Sequence, residues 1–248
     1  MKKALVLFLV AVLCLGTLCA CGSNTAENTS FENKDLPTGS VDVSHIPGGK
    51  VSVGDVVKVG NYGGEAIEWI VLDVDTDTRN VMLVSKYCLD AQPYNAGEKR
   101  VETSWETCSL RAWLNTNFFN AAFSQVEQMM IFPTKTGKTD ATDTVFLLSR
   151  AEATSLFANN AALMSEATEH AENNGAYTKI VKYVTENDEI EYVTYSPFWL
   201  RDSASNTDRA IAVLADGTLP SDGWFVNDGG FGVRPAIWIN SAALTPAE

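Results

Sequence analysis

The sequence predicts one α+β domain, with antiparallel strands at both ends of the domain and helices in the middle. From Val51 to Tyr94 apolar and polar residues alternate, which is the period of half-buried strands. Bulky apolar residues then recur at helical spacing, and strand-like runs return from Tyr192 onward. Strands, then helices, then strands indicate an α+β domain whose two chain ends share a sheet.

The N-terminal segment is predicted to be a targeting signal. Residues 1–20 place two lysines before a long apolar run that ends in small residues, as in a signal peptide. The run continues into "LCACG", which resembles the bacterial lipobox, whose final cysteine is lipidated after cleavage. Cys21 holds that position, so we expect it to carry the lipid. The alternatives are a transmembrane anchor and an ordinary cleaved signal.

The segment that follows Cys21 is predicted to be a tether. Residues 21–50 are rich in Ser, Asn, Thr, Gly and Pro and contain too few large apolar residues to form a core. Residues 51–248 have the length of one domain. We therefore expect a lipid-anchored domain on the outer face of the cytoplasmic membrane, exposed at the cell surface.

The composition restricts the partners. The chain has 31 acidic and 18 basic residues and a net charge of −13. Nucleic acids require a basic binding surface, so we expect no nucleic-acid partner. The same charge argues against docking on anionic lipid, so the predicted contact with the membrane is the lipid anchor.

The helices are predicted from capping signatures. Thr103 and Glu106 have the spacing of a capping box, and apolar residues follow at helical intervals. The same spacing occurs at Ser124 with Glu127 and at Ser149 with Glu152. Between these helices, residues 143–149, "DTVFLLS", have the composition of a short buried strand.

The sequence shows no pattern typical of a catalytic or metal site. His170 is the one histidine within the domain and is predicted to lie on a solvated helix face, so no catalytic residue, metal or cofactor is assigned. Cys88 and Cys108 lack zinc-ligand spacing, and whether they form a disulfide is left open. Paired carboxylates cannot be recognised without distances, so a glycosidase-like hydrolase stays open.

Eight ordered blocks resemble a known family. They are "GDVVKVG", "EWIVLDV", "LVSKY", "TSWETCSLRAWLN", "AFSQVEQMMI", "DTVFLLSRAEA", "FWLRD" and "GVRPAIWI". In this order they resemble domain of unknown function 6273, a family of bacterial secreted proteins, which implies no particular activity. "WLR" and "GVRPA" also resemble the C-type-lectin-like fold of the formylglycine-generating-enzyme kind. That resemblance implies a scaffold that displays ligand-binding loops.

Three arginines lie in these blocks beside large apolar side chains. They are Arg111, Arg201 and Arg234. A guanidinium removed from water requires carboxylates or carbonyls around it. We therefore expect structural roles, with Arg234 holding a loop carboxylate or carbonyls beneath the last strand. An anion-binding role for Arg234 is the alternative.

If the arginines are structural, the ligand surface must come from the loops between the blocks. Two polar segments follow late strands, and the second contains a tryptophan among amides and carboxylates. The predicted ligand-binding residues are Asp202, Ser203, Ser205, Asn206, Asp208, Trp224, Asn227 and Asp228. The alternative is that Trp224 belongs to the core and that the polar residues only form turns.

The sequence therefore predicts a binding or display domain for an extracellular glycan, cell-wall fragment, peptide or protein. One alternative is a carboxylate-dependent hydrolase acting on carbohydrate or cell-wall substrates. Another is a structural surface subunit that docks a partner protein.

Overall fold

The computed structural model describes residues 40–42, 50–184 and 190–246. Cys21, the predicted signal peptide and most of the predicted tether lie outside the described residues. The helices are α1 Ser109–Trp113, a π-helix Leu114–Phe118, α2 Phe119–Ala122, α3 Gln125–Met130, α4 Arg150–Leu156, α5 Asn160–Leu163, α6 Glu169–Asn173 and a 3₁₀ turn Ser241–Ala243. Among the described residues, every helix is too short or too polar to span a lipid bilayer.

The described strands form two main sheets and three small ones. Their bounds are β1 Ser40–Asp42, β2 Lys50–Ser52, β3 Val56–Tyr62, β4 Glu65–Asp75, β5 Asn80–Ser85, β6 Asp90–Ala91, β7 Ile131–Phe132, β8 Thr134–Lys135, β9 Thr142–Asp143, β10 Lys179–Val184, β11 Ile190–Tyr195, β12 Phe198–Ser203, β13 Arg209–Val213, β14 Trp224–Phe225, β15 Gly232–Val233, β16 Ala236–Asn240 and β17 Thr245–Pro246. The α+β class is thereby confirmed.

The larger sheet joins the two ends of the domain. Its strand order is β17-β3-β4-β5-β16-β7, and its strand pairs are antiparallel. The N-terminal strands β3, β4 and β5 form the predicted meander. Strand β16 lies between β5 and β7, with Ile237 opposite Leu83. The expectation that N- and C-terminal strands share a sheet is confirmed.

The second sheet carries the late loops. Its order is β14-β13-β12-β15-β6, and the β12–β15 pair is parallel. Strands β10 and β11 form a separate antiparallel hairpin directly before this sheet. The sequence prediction placed the return of strands at Tyr192, but the hairpin begins at Lys179. Its first strand was missed because "KIVKYV" is short, contains two lysines and lacks a strict apolar–polar alternation, and it comes directly after a polar helical stretch.

The core lies between the larger sheet and the helices that follow it. Trp69 of β4 is fully buried, stacks on Phe123 with ring centroids 6.2 Å apart, and donates its indole N–H to the carbonyl of Val59 at 2.8 Å. The ring of Phe118 meets Phe123 edge to face. Burial of these large aromatic rings, with the indole N–H of Trp69 satisfied, contributes to the stability of the core.

Two of the three predicted capping boxes are confirmed. Ser124 with Glu127 caps α3, and Ser149 with Glu152 caps α4. The third prediction, Thr103 with Glu106, is wrong, because the helix begins at Ser109 with Cys108 as its N-cap.

The predicted capping box is absent because its two side chains have other hydrogen-bond partners. The hydroxyl of Thr103 donates to the carbonyl of Val101 at 2.9 Å. The carboxylate of Glu106 instead accepts the amide of Lys138 at 2.9 Å. A long-range contact thus uses the side chain that a capping box would require.

Residues 143–149 are buried as predicted, but they do not form a continuous strand. Strand β9 ends at Asp143, and Phe146 makes one isolated bridge to Ala236. The side-chain oxygen of Asn115 accepts the amides of Thr144 at 2.8 Å and Val145 at 3.2 Å. These backbone groups are satisfied by a side chain, so no strand ladder forms along them.

Candidate functional site

The first predicted loop lines an open groove. Asp202 and Ser203, which the structure places at the end of β12 and not in the loop after it, form part of the wall together with Ala204 and Ser205. The groove has a volume of about 440 Å³. The remaining wall is made by helix α4, by β13 and by the segment before β14: Arg150, Ala151, Thr154, Ile211 and Ser221. The groove is therefore mixed in polarity and open to solvent.

Internal hydrogen bonds fix the polar wall of this groove. The carboxylate of Asp202 accepts the backbone amide of Arg150. The guanidinium of Arg150 donates to the carbonyls of Leu219 at 2.8 Å and Pro220 at 3.4 Å. The hydroxyl of Ser203 donates to the carbonyl of Thr103 at 3.1 Å. Arg150 was not among the predicted residues.

Asn206 and Asp208 connect the two predicted loops through their backbone. The carbonyl of Asn206 accepts the amide of Arg209 at 3.0 Å, which closes the turn into β13. The carbonyl of Asp208 accepts the amide of Val226 at 3.1 Å. The loops are thus neighbours, but Trp224 does not line the groove.

Trp224 and Tyr177 form a second surface, which we call the aromatic platform. The Trp224 side chain is 42% exposed and that of Tyr177 is 51% exposed. The amide of Tyr177 donates to the carbonyl of Gly230 at 2.6 Å. A Cβ at Gly230 would lie 2.3 Å from Cζ of Tyr177, so the ring requires glycine there. Sequence reasoning missed Tyr177, which lies far from Trp224 along the chain.

The carboxylate of Asp228 holds the platform together. It accepts the indole N–H of Trp224 at 3.0 Å and the amide of Gly230 at 3.0 Å. A hydrogen bond to Asp228 also raises the pKa of Tyr177, with the negative charge and slight burial contributing less. Asp228 therefore positions the two rings. Asn227 lies beside it, half-buried.

Buried aromatic rings support the platform from below. Phe231 contacts both rings, at centroid distances of 5.6 Å to Trp224 and 6.1 Å to Tyr177. Beneath it, Trp199 stacks on Phe231 at 4.4 Å and donates its indole N–H to the carbonyl of Gln92. The exposed rings are therefore held in place before any ligand arrives.

Arg234 lies inside the domain and is 3% exposed. Its guanidinium donates to the carbonyls of Ser85 and Leu163, each at 2.9 Å, and lies near the rings of Phe157 and Phe198. Burial lowers the pKa of Arg234 to about 10. Such surroundings suit an internal support better than an anion site open to solvent.

The other two predicted arginines make ion pairs. Arg201 pairs with both carboxylate oxygens of Glu152 and donates to the carbonyl of Leu147 at 2.8 Å. Arg111 pairs with the buried carboxylate of Asp143 at 2.6 Å. All three arginines thus face groups of the protein itself.

Both cysteines have free thiols. Cys88 and Cys108 are buried, and burial raises the pKa of each thiol to about 11. No group of three or more potential metal ligands occurs in the part of the chain that the structure describes. Among the described carboxyl groups, burial raises the pKa of Glu166, against the opposing charge of Lys86.

Comparison with known proteins gives the family. Neither a search of curated proteins nor a search of solved structures found a match. A family model described as "Domain of unknown function (DUF6273)" matches residues 78–241, which contain the groove and the platform. The chain therefore belongs to the DUF6273 family.

Proposed function

We propose that this protein is a lipid-anchored extracytoplasmic binding domain and that its ligand is a glycan, such as a cell-wall polysaccharide fragment. The observation that carries the proposal is the aromatic platform. The rings of Trp224 and Tyr177 are exposed to solvent, whereas large aromatic rings are mostly buried in soluble proteins. The apolar face of a sugar ring covers an exposed aromatic ring of this kind.

The rigidity of the platform supports binding. Asp228 and Phe231 fix the orientation of both rings, so a ligand does not have to order them. Fixing side chains on binding otherwise costs about 0.5–1.5 kcal/mol for each flexible side chain. Small-ligand sites combine aromatic side chains with a few precisely placed polar groups, and here Asp228 supplies such a group beside the two rings.

The charge of the chain favours a neutral ligand over an anionic one. The net charge is −13, and the carboxylate of Asp228 is hydrogen-bonded to both Trp224 and Tyr177. An anionic polymer would be repelled at low salt, whereas neutral sugar hydroxyls can donate to the surrounding oxygens. The neighbouring groove, with Asp202, Ser203 and Ser205 in its wall, offers further polar contacts for a longer chain.

The test is a binding screen with Trp224 as the reporter. Trp224 is the most exposed of the six tryptophans, so a ligand on the platform will change the intrinsic fluorescence. The full chain, in a polyoxyethylene detergent that carries no sugar, is titrated with neutral cell-wall glycan fragments, acidic glycans and peptides. Trp224→Ala and Tyr177→Ala are each expected to weaken glycan binding about 5- to 50-fold, measured by calorimetry.

Two controls separate the platform from the rest of the surface. Tyr192→Ala removes another exposed tyrosine, on the β10–β11 hairpin, and is expected to leave binding unchanged. Replacing residues 202–208 with Gly and Ser tests the groove. If a glycan binds the parent and both platform variants equally well, the platform is not the site. If a fragment is cleaved, the hydrolase alternative replaces the proposal.

The anchoring part of the proposal has its own test. Cys21→Ser is expected to release the protein from the membrane fraction, and mass spectrometry of the parent is expected to show a lipid on Cys21. A protein that stays membrane-bound after this substitution would instead support a transmembrane anchor.

We also propose that the domain is C-type-lectin-like. The pairing of β16 with β5 and of β17 with β3 supports this, because that fold brings its chain ends together in one sheet. An experimental structure superposed on such domains tests the assignment. A different strand order in the shared sheet would contradict it.

The docking alternative also has an observation in its favour. Ile180, Ile190 and Tyr192 are exposed, and the register of the β10–β11 hairpin places them on one face. If this face docks a protein partner, Ile180→Asp and Tyr192→Asp should abolish co-purification of a defined partner and leave glycan binding intact.

A further inference from the structure

The carboxylate of Asp228 borders both exposed rings of the aromatic platform. It accepts the indole N–H of Trp224 and the amide of Gly230, each at 3.0 Å, and a hydrogen bond from Tyr177. None of the ion pairs found among the described residues includes Asp228. Within that part of the chain, neutral donors alone hold this half-buried negative charge.

Two arginines beside β14 lie on the face opposite the platform. The guanidinium groups of Arg100 and Arg209 lie over the ring of Phe225, with Cζ 3.3 Å and 4.3 Å from its centroid. Phe225 follows Trp224 in β14, and successive side chains of a strand point to opposite faces of the sheet. These two positive charges are therefore kept on the side of the strand that is away from Asp228.

The two platform rings also favour a positively charged group. The face of an aromatic ring is the negative part of its quadrupole and attracts a cation placed over it. Trp224 and Tyr177 are both exposed, and both contact the buried ring of Phe231. Charge attraction to Asp228 and cation–π contacts with the rings thus act on the same place, and the net charge of −13 adds to the attraction.

The chain segment that leads to Tyr177 is anchored to a buried carboxylate. Asn174, the residue after helix α6, donates its side-chain amide to Asp90 at 3.1 Å. The Asp90 side chain is 3% exposed, and Nε2 of His170 lies 3.7 Å from it, so His170 is not an isolated surface side chain. A ligand therefore does not have to order this side of the platform.

We propose that the ligand of the platform is a glycan containing an amino sugar with a free ammonium group. This inference rests on the glycan-binding function proposed above and specifies its ligand. The apolar face of the sugar covers Trp224, and the ammonium at the rim of the sugar ring donates to Asp228, which lies at the indole edge. A carboxylate accepts about four hydrogen bonds. Asp228 accepts one each from Trp224, Gly230 and Tyr177, so an acceptor position remains.

A matched pair of probes isolates the ammonium group. Glucosamine oligosaccharides and N-acetylglucosamine oligosaccharides of equal length have the same backbone, and acetylation removes the charge. The full chain, in the sugar-free detergent, is titrated with each probe by calorimetry at about pH 5.5, where amines are protonated and carboxylates are ionised. The amine form is expected to bind about 5- to 30-fold more tightly at low salt. This difference should shrink as the salt concentration rises, because salt screens the attraction between charges.

Matched charge variants test whether Asp228 is responsible. Asp228→Asn keeps an acceptor for Trp224 and removes the charge, so it is expected to abolish the preference for the amine form while the acetylated form still binds. Asp222→Asn removes a carboxylate that lies 3.7 Å from Arg209 and is expected to leave the preference unchanged. Circular dichroism confirms that each variant is folded. If Asp228→Asn loses both probes, the salt dependence of the parent decides, because only the amine form should weaken with salt.

The outcomes separate this inference from the proposed function. Equal affinity for the two forms, with both weakened by Trp224→Ala, would overturn the inference and leave the glycan-binding function intact. Absence of binding by the amine form would also overturn it, and the screen with other glycans would then decide the proposed function alone. If Nα-acetyl-lysine amide competes as well as the amine oligosaccharide, recognition requires no sugar and a basic peptide replaces the glycan.

Discussion

Arg234 shows how one side chain joins distant parts of this domain. Its guanidinium donates to Ser85 at the end of β5 and to Leu163 at the end of α5, and no carboxylate neutralises it among the bonds described. A buried charge of this kind is tolerated because carbonyl dipoles and aromatic faces surround it. The contacts indicate that the residue supports the fold.

Replacing this arginine with an apolar residue of similar length tests that role. We predict that Arg234→Met lowers the free energy of unfolding by about 2 kcal/mol. Two buried carbonyls lose their donor, which destabilises the fold, and removal of the desolvated charge offsets part of this loss. Urea denaturation measures the change. Lys99→Met, on an exposed side chain, is the control and should change stability little. Unchanged stability together with lost ligand binding would instead indicate an anion site.

The buried thiols predict a loss of stability at alkaline pH. In the unfolded chain each thiol titrates near its ordinary pKa of 9.0, whereas burial raises the pKa of Cys88 and Cys108 to about 11 in the fold. Between these values the folded chain holds more protons, so stability falls as pH rises. The stability that the two protonated thiols contribute is complete below pH 9.0 and is lost as the pH rises past about 11.

Substitution of both thiols checks this pH dependence. We expect Cys88→Ala with Cys108→Ala to reduce the alkaline slope of the unfolding free energy, by at most about 1.4 kcal/mol per pH unit for each thiol. Denaturation is measured at several values between about pH 9 and pH 11. An unchanged slope would show that other groups, such as the half-buried Tyr62 hydroxyl, whose pKa is raised by burial and by its hydrogen bond to Asp90, account for the alkaline transition.

The π-helix holds the backbone of residues 144–145 in place. It contains Asn115, whose amide oxygen accepts Thr144 and Val145 and whose amide nitrogen donates to the Val145 carbonyl at 2.8 Å. One side chain therefore replaces part of a strand ladder. The wider turn of a π-helix is often found where a residue has a special role.

We predict that Asn115→Ala destabilises the domain by about 2–3 kcal/mol, because two amides and a carbonyl beside the core lose their partner. Asn117→Ala, in the same π-helix but exposed, should change stability by less than about 0.5 kcal/mol. Thermal and urea denaturation of both variants measure the difference. Equal effects would show that helix propensity, and not the contact with residues 144–145, determines the result.

Local patterns predicted the elements whose contacts are local. The capping boxes at Ser124 and Ser149 depend on residues three apart, and both were found. Two predictions were wrong because of contacts between residues far apart in sequence. The amide of Lys138 donates to the carboxylate of Glu106, which therefore does not cap a helix, and Asn115 accepts the amides of residues 144–145, which therefore do not join a strand. A sequence window cannot contain either contact, because each spans about thirty residues.

The same distinction applies to the candidate site. Trp224 and Asp228 are four residues apart, so the sequence could suggest them together, and they are hydrogen-bonded. Tyr177 reaches them only because Gly230 lies against its ring. Asp90 and His170 meet through pairing of β6 and packing of α6, which no local pattern encodes.

For the whole molecule, the position of β16 determines when the fold can form. The strand lies between β5 and β7 and carries two of the fully buried isoleucines, Ile237 and Ile239. We predict that a chain ended after Pro235 fails to fold, whereas one ended after Ala243 keeps β16 and folds with reduced stability. Circular dichroism and resistance to limited proteolysis measure both. A folded shorter chain would show that β5 and β7 close without β16.

The central position of β16 also bears on the export that we propose for this protein. Residues that pair in β5 and β16 are separated by more than 150 positions, with Val84 opposite Ala236. A chain leaving the ribosome cannot place β16 between β5 and β7 until residue 240 has been made, so the centre of its main sheet is incomplete through most of synthesis. A secretion channel passes unfolded chains. For the exported protein that we propose, this topology would leave the main sheet incomplete through most of synthesis and delay closure of the core until nearly all of the chain had crossed the membrane.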